Sequence, residues 1–269
     1  MTLELPQNAL WLLARCTLHR AAPQASLPRD PVRWRAPALV PGHLAHYRKQ
    51  LGFEAAALPL CYHYLALQRA QLDWMLRPGF PYRLLGMVHL AQTLVRTADW
   101  DLGAGFDIEL QAEPEGKRNL LLRAELRQAG QVKLSSSSLY RPPAAEARRP
   151  LRARSPEPTP PGEPLAHWYL PASAGRSYAR LSGDANPIHL WPATARWLGL
   201  ADPIIHGMHT MARCEAALTH AMGCAPQALS MQFLRPVTLP GWAQLRQAAT
   251  GYEVWGPAGR SASLQLTAT

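Results

Sequence analysis

The sequence predicts an α+β protein built twice over, and three observations carry that prediction. A helical spacing followed by three strand-like runs occurs in both halves of the chain. A Pro- and Arg-rich stretch separates the halves: eight of the 24 residues 141–164 are Pro, which removes backbone donors and blocks helix interiors. A tight polar turn, Tyr178 to His189, stands in the second half with no counterpart in the first. The expected organisation is a module over residues 1–140, a linker over 141–164 and a second module over 165–269, related by internal duplication.

In chain order, Asn8 to His19 reads as a short helix whose Leu10, Leu13 and Ala14 face the body. Val32 to Arg35 alternates like a first strand, and Leu44 to Leu51 suits a short helix. Leu58 to Met75 is apolar and aromatic without clean periodicity. From Gly86, the spacing Met87, Leu90, Ala91, Leu94 predicts the helix of the first module. Strands are expected over Phe106 to Gln111, Leu120 to Leu126 and Gln131 to Tyr140. In the second module the helix starts at Gly207 with Met208, Met211, Ala212 and Cys214, followed by strands over Ala228 to Leu239, Ala243 to Tyr252 and Ser261 to Thr269. Setting Gly86 against Gly207 puts Asp184 on His63, Asn186 on Leu65 and His189 on Gln68. Substituting His63 or Gln68 is therefore expected to spare the chemistry.

The run Tyr178-Ala-Arg-Leu-Ser-Gly-Asp-Ala-Asn-Pro-Ile-His189 concentrates the candidate chemistry. Asn186 and Pro187 suit an N-cap and first helical position. The turn lets Asp184 and His189 point into one space, and a carboxylate beside an imidazole is a general acid–base pair. Gly207 opens an apolar helix whose free N–H groups lie at the positive end of the helix dipole, a place for an oxyanion. Taken singly, Asp184 suits an Asx-turn, Asn186 a cap and Gly207 a packing glycine, but that reading does not explain their joint occurrence.

This run resembles the signature of the MaoC-like hydratases and dehydratases, the (R)-specific enoyl-CoA hydratase group. The resemblance implies a double hot dog, each copy a long helix wrapped by an antiparallel sheet. It implies Asp184 and His189 as the catalytic pair, Asn186 as support for the turn, and the Gly207 N–H as the donor to the thioester carbonyl. Tyr178 and Ser182, within the same run, are taken as further supporting residues. Met231 to Val237 resembles the family's strand after the central helix. Leu58 to His63 and Phe80 to His89 resemble the first half of double hot-dog 3-hydroxyacyl thioester dehydratases. Trp191 stands where many members carry an acidic residue.

The chain has 269 residues, 48% apolar, and a net charge of +10. Only three of its 28 basic residues are Lys, and Arg pairs bidentately with phosphate. An acyl thioester of coenzyme A or an acyl carrier protein suits this charge. No zinc-finger spacing, RNP-type motif or single basic helix points to nucleic acid. Cys16, Cys61, Cys214 and Cys224 form no Cys-x-x-Cys pair and are expected as free thiols. Without a secretory signal or a stretch of ~20 apolar residues, the expectation is a soluble cytoplasmic protein, with a homodimer compatible. His189, His206 and His209 invite a metal, but structural and catalytic zinc sites need three or four defined ligands; neither metal nor other cofactor is expected. Cys214 is expected as a buried small hydrophobe, and Trp168, Trp191 or Trp197 as core or pocket wall.

The sequence thus reads as an enzyme that hydrates 2-enoyl thioesters and dehydrates (R)-3-hydroxyacyl thioesters. Two alternatives are a hot-dog thioesterase, for which Glu215 is the only acidic candidate on the second helix, and a non-catalytic acyl-thioester binding protein.

Overall fold

The structure is a computed structural model that describes residues 2–23, 25–28, 30–54, 58–143, 157–160 and 162–267. Its framework is one eleven-stranded sheet with helices laid against it. The strands are β1 (Thr2–Glu4), β2 (Val32–Ala36), β3 (Val88–Arg96), β4 (Phe106–Glu115), β5 (Asn119–Gln128), β6 (Gln131–Arg141), β7 (Ala166–Leu170), β8 (Ala228–Phe233), β9 (Gly241–Gln247), β10 (Tyr252–Gly256) and β11 (Gly259–Thr267). The helices are α1 (Ala9–Leu18), α2 (Pro41–Leu51), α3 (Leu60–Met75), α4 (Ala174–Ser182), α5 (Pro192–Trp197) and α6 (Gly207–Met222), with a 3₁₀ turn at Pro187–His189.

The sheet order is β1-β2-β4-β5-β6-β3-β8-β11-β10-β9-β7. Apart from the parallel β1–β2 edge, every pairing is antiparallel. The order β2-β4-β5-β6-β3 in the first half repeats as β7-β9-β10-β11-β8 in the second, and the halves join along β3–β8, with Thr93 opposite Ser230. One continuous core runs through both. This is the double hot dog that the sequence leads one to expect.

The first-half helix is elsewhere than its spacing implied. The segment from Gly86 is not a helix: Val88–Arg96 is β3, hydrogen-bonded to both β6 and β8. Its inward positions include the buried Gln92, whose amide bonds Ser136 and Ser138, so polar residues on the core face hide the period of two. The central helix is instead α3, twelve of whose sixteen residues are buried. A helix covered nearly all round has no polar stripe, and its sequence shows no amphipathic period. The counterpart of Gly207 is therefore Leu60, and His63 and Gln68 are not the equivalents of Asp184 and His189.

Boundaries shift for local reasons. Asn8 accepts the Trp11 N–H at 2.9 Å and starts α1 one residue later. On α1, Leu12 and Cys16 are buried, while the side chains of Leu10, Leu13 and Ala14 lie outside the described residues. The run expected as one strand over Ala243 to Tyr252 is two, β9 and β10, joined by a turn in which Gly251 takes φ 78°. The strand from Ala228 stops at Phe233, short of Leu239. Most of the expected linker, with Arg148, Arg149, Arg152 and Arg154, lies outside the described residues.

Candidate active site

Helix α4 ends where Gly183 enters the left-handed region, φ 81°, and its N–H returns to the Ala179 carbonyl. The next residues build a turn from side chains. Ser182 Oγ donates to the Tyr178 carbonyl at 2.8 Å and accepts the Asp184 N–H at 3.1 Å. Asp184 Oδ1 accepts the Asn186 N–H at 3.2 Å, and Asn186 Oδ1 accepts the Ile188 N–H at 3.4 Å. Pro187 opens the 3₁₀ turn, where its missing donor costs nothing. Asp184 and Asn186 are thus an Asx-turn and a cap, and those capping roles form the site rather than compete with it.

His189 is buried, and its Nδ1 lies 2.8 Å from the Ile204 carbonyl. A carbonyl only accepts, so the proton sits on Nδ1 and Nε2 keeps its lone pair. The backbone beneath is clamped: a Cβ on Gly175 would lie 2.0 Å from the His189 carbonyl oxygen, so only glycine allows α4 this close. His206, which precedes α6, is also buried. Its Nε2 N–H donates to the Asp184 carbonyl at 2.8 Å, and its ring stacks on His189 at 3.6 Å between centroids. The buried Tyr178 ring backs it at 4.9 Å and meets His209 edge-on at 5.4 Å. The structure brings together Asp184, His189, Asn186, Tyr178 and Ser182, adds Gly175, which no local signal in the sequence singles out, and gives His206, read in the sequence only as one of three histidines inviting a metal, a donor role.

The Asp184 side chain is 25% exposed, so one face of the carboxylate opens to the site. Burial pushes its carboxyl up, but His206, His189, the Gln68 side chain and the Asn186 N–H outweigh it and hold the group below the usual carboxylate range. Burial, then His206, brings His189 down to about 3. At neutral pH the site holds a carboxylate beside a neutral imidazole.

Ring nitrogens of His189 and His206 and an Asp184 carboxylate oxygen lie within 4.8 Å of one another. His206 Nε2, 4.0 Å from Asp184 Oδ2, carries the proton given to the Asp184 carbonyl, so in this tautomer that nitrogen faces the carboxylate as a donor and not as a ligand. A water bridging two acceptors through hydrogen bonds of ordinary length spans about 4.5 Å, so the spacing suits a bridging water.

Gly207 is the first residue of α6, beside the Asp184–His206 contact. A Cβ there would lie 2.8 Å from the Phe233 ring. The missing side chain is therefore required by packing, and a valine at this position reports on that packing before it reports on any oxyanion. Phe233 leads into the first half, with its ring 5.0 Å from His89, which stacks on Tyr140 at 4.6 Å.

Glu215, fully buried on α6, uses both carboxylate oxygens on the other helix: Oε1 accepts the Leu60 N–H at 2.5 Å and Oε2 the Cys61 N–H at 2.9 Å. It caps α3, whose own N-cap, Pro59, offers no side chain. Burial pushes the Cys214 thiol far up, so it is no nucleophile. Cys16, Cys61 and Cys214 are buried free thiols, and Cys224 is an exposed one. Trp168 is buried, whereas Trp191 and Trp197 are exposed, Trp191 beneath the Arg176 guanidinium at 4.1 Å. Among the described residues no helix is long and apolar enough to cross a membrane.

Comparison with known proteins agrees with this architecture. Residues 142–260 match the MaoC like domain family. The chain is 26% identical over 238 residues to the 3-hydroxyacyl-thioester dehydratase X of Mycobacterium tuberculosis (strain ATCC 25618 / H37Rv), covering 84% of this chain and 79% of that protein. The crystal structure of HtdX from M. tuberculosis superposes with a TM-score of 0.72 at 20% identity, over 89% of this chain and 100% of that one. Another M. tuberculosis protein, whose structure is described as a double hotdog fold, gives a TM-score of 0.56 at 12% identity, over 92% and 96%.

Proposed function

We propose that this chain, a double hot dog with a MaoC-like domain over residues 142–260, is a hydro-lyase that interconverts 2-enoyl and 3-hydroxyacyl thioesters. The likeness to a 3-hydroxyacyl-thioester dehydratase over most of the chain supports the reaction class. The observation that carries the mechanism is the Asp184–His189 pair. Both groups are acceptors at neutral pH, with the imidazole tautomer fixed by Ile204.

In hydration, one water donates an O–H to each acceptor and turns a lone pair toward C3 of the enoyl thioester. Asp184 takes the water proton as the C3–O bond forms. The electron pair of the C2–C3 double bond moves onto the thioester carbonyl as an enolate. The Gly207 N–H, at the positive end of α6, stabilises that oxygen; such a donor contributes about 3 kcal/mol in other enzymes. The enolate then collapses as C2 receives a proton from the Asp184–His189 pair. Dehydration runs the same steps backwards. The (R) configuration of the hydroxyacyl product follows the resemblance of the Tyr178–His189 run. The first half serves the acyl group and lacks the turn. The thioester is carried by coenzyme A or by an acyl carrier protein, either of which suits the +10 charge. The four free thiols suit a reducing cytoplasm.

The thioesterase alternative loses its carboxylate, because Glu215 is consumed in capping α3. The test is turnover of 2-butenoyl and longer 2-enoyl thioesters on both carriers, following loss of enoyl absorbance alongside free thiol. Enoyl loss without thiol release is expected. Asp184→Asn and His189→Ala should each lower kcat about 100- to 10,000-fold, and the double variant should be little worse than either single one. Near-wild-type rates in either single variant sink the mechanism.

A further inference from the structure

The two central helices are of equal length, sixteen residues each, and pack against one another. Both sit in the same strand order, and the halves meet along the antiparallel β3–β8 seam, so an approximate twofold relates them. Matching Leu60 to Gly207 by their places at the helix starts pairs Gln68, the ninth residue of α3, with Glu215, the ninth residue of α6. Glu215 reaches across to the first N–H groups of α3. The same operation carries Gln68 to the first turn of α6, next to His206, whose Nε2 is bonded to the Asp184 carbonyl. Gln68 does meet Asp184 there, by a side-chain hydrogen bond that lowers the acid's pKa, and it is only half-buried, as a residue at the wall of an open site is.

The difference between the two equivalent positions is one of charge. A carboxylate at the start of α3 satisfies its N–H groups permanently and closes that end. An amide at the start of α6 leaves the positive helix end to an incoming oxygen and has an N–H to give. A second carboxylate there would sit beside Asp184, where two like charges resist ionising together.

We propose that Gln68, from the half of the chain without the Asp–His turn, is a positioning residue for the Asp184 carboxylate, aiming it beside the open start of α6. This rests on the reading of Asp184 as the base. It reverses the expectation that Gln68 is irrelevant to the chemistry, and it makes the one active site a joint product of both halves.

The experiment is the pH dependence of kcat/KM on 2-butenoyl-CoA for the full-length wild type, Gln68→Ala and Gln68→Glu, from initial rates taken within seconds of each pH jump so that acid unfolding does not set the limb, with melting curves for each. Gln68→Ala should lower kcat about tenfold, change KM less, and move the acid limb to higher pH. Gln68→Glu, nearly isosteric, should move that limb further, by a unit or more. Acid limbs that coincide with wild type in both variants overturn the proposal, whatever happens to the melting temperature. An unfolded Gln68→Ala leaves Gln68→Glu to decide. Absence of turnover in the wild type overturns the hydro-lyase reading instead. The contact is then read by carboxyl-carbon NMR titration of Asp184: a raised pKa in Gln68→Ala supports the proposal and an unchanged one overturns it.

Discussion

At the scale of single residues, the site is made of groups that act through the backbone as much as through their side chains. Asp184, Asn186 and His189 were legible because each has a polar side chain at a spacing that a turn requires. In the sequence His206 stands out only as one of three histidines that invite a metal. Its actual work, an N–H given to the Asp184 carbonyl and a ring laid on His189, depends on a contact across 22 positions that no local pattern encodes. Gly175 was invisible for the same reason, since its role is the space it leaves for the His189 carbonyl. His206→Ala removes the donor and the stacking partner together and leaves a buried carbonyl unpaired. Stability should fall by about 1–3 kcal/mol, and kcat should fall more than KM rises because the carboxylate loses its aim. Equilibrium urea unfolding and steady-state kinetics on one preparation check both. Gly207 needs a different probe, because a side chain there meets Phe233 whatever the oxyanion does. A thioether analogue that lacks only the carbonyl oxygen should bind up to about tenfold more weakly than the matching saturated thioester, as expected for one lost hydrogen bond to the carbonyl. Equal affinities measured by calorimetry remove the Gly207 donor from the mechanism.

At the scale of elements, what the sequence hid was the more buried helix. Helix α6 could be read because glycine marks its start and its apolar residues still alternate with Thr210, Arg213 and His220. Helix α3 packs apolar and aromatic residues on nearly every face, and the segment after it happened to carry a helical spacing within a strand. The pairing of α3 with α6 explains Glu215, a fully buried carboxyl that burial pushes up and that the Cys61 and Leu60 N–H groups and, more remotely, Arg96 pull back down. Its charge is balanced by two N–H groups at a positive helix end. Glu215→Ala should therefore be strongly destabilising, by roughly 2–4 kcal/mol. Glu215→Gln keeps one acceptor and should cost less. The cost should appear as cooperative loss of both halves in one transition, because the contact joins them through a shared core. Separate melting of the halves in calorimetry contradicts that coupling.

At the scale of the whole molecule, the repeated strand order sets two central helices whose starts are treated differently. One helix start is closed by Glu215 and the other is left to the Asp184–His189 turn, and the polar residues that remain inside set how the protein responds to acid. His63 and His89 are brought down to about 4, and His189 and His209 to about 3, in each case by burial first. His206 is lowered by the same cause. Unfolded, each returns to about 6.5. Between those values the unfolded chain binds protons that the folded chain refuses, so stability is complete above about pH 6.5 and is lost as the pH falls toward 4 and 3. Asp184 adds to the loss with the same sign, since its folded pKa is also depressed, but only below the ordinary carboxylate range. Each histidine contributes at most about 1.4 kcal/mol per pH unit, so even a few acting together should lower the melting temperature steeply between pH 6.5 and 4.5. The two groups proposed as catalytic keep their protonation states through that window, because Asp184 stays ionised and His189 stays neutral. The enzyme should therefore lose activity on acidification by unfolding rather than by titration of its site. Initial rates taken within seconds of a jump from pH 7 to pH 5 should stay near their starting value, then decay with the time course of tryptophan fluorescence. A rate that drops at once while the fluorescence is unchanged shows that a group in the site titrates above pH 5, and that the electrostatic picture of the Asp184–His189 pair is wrong.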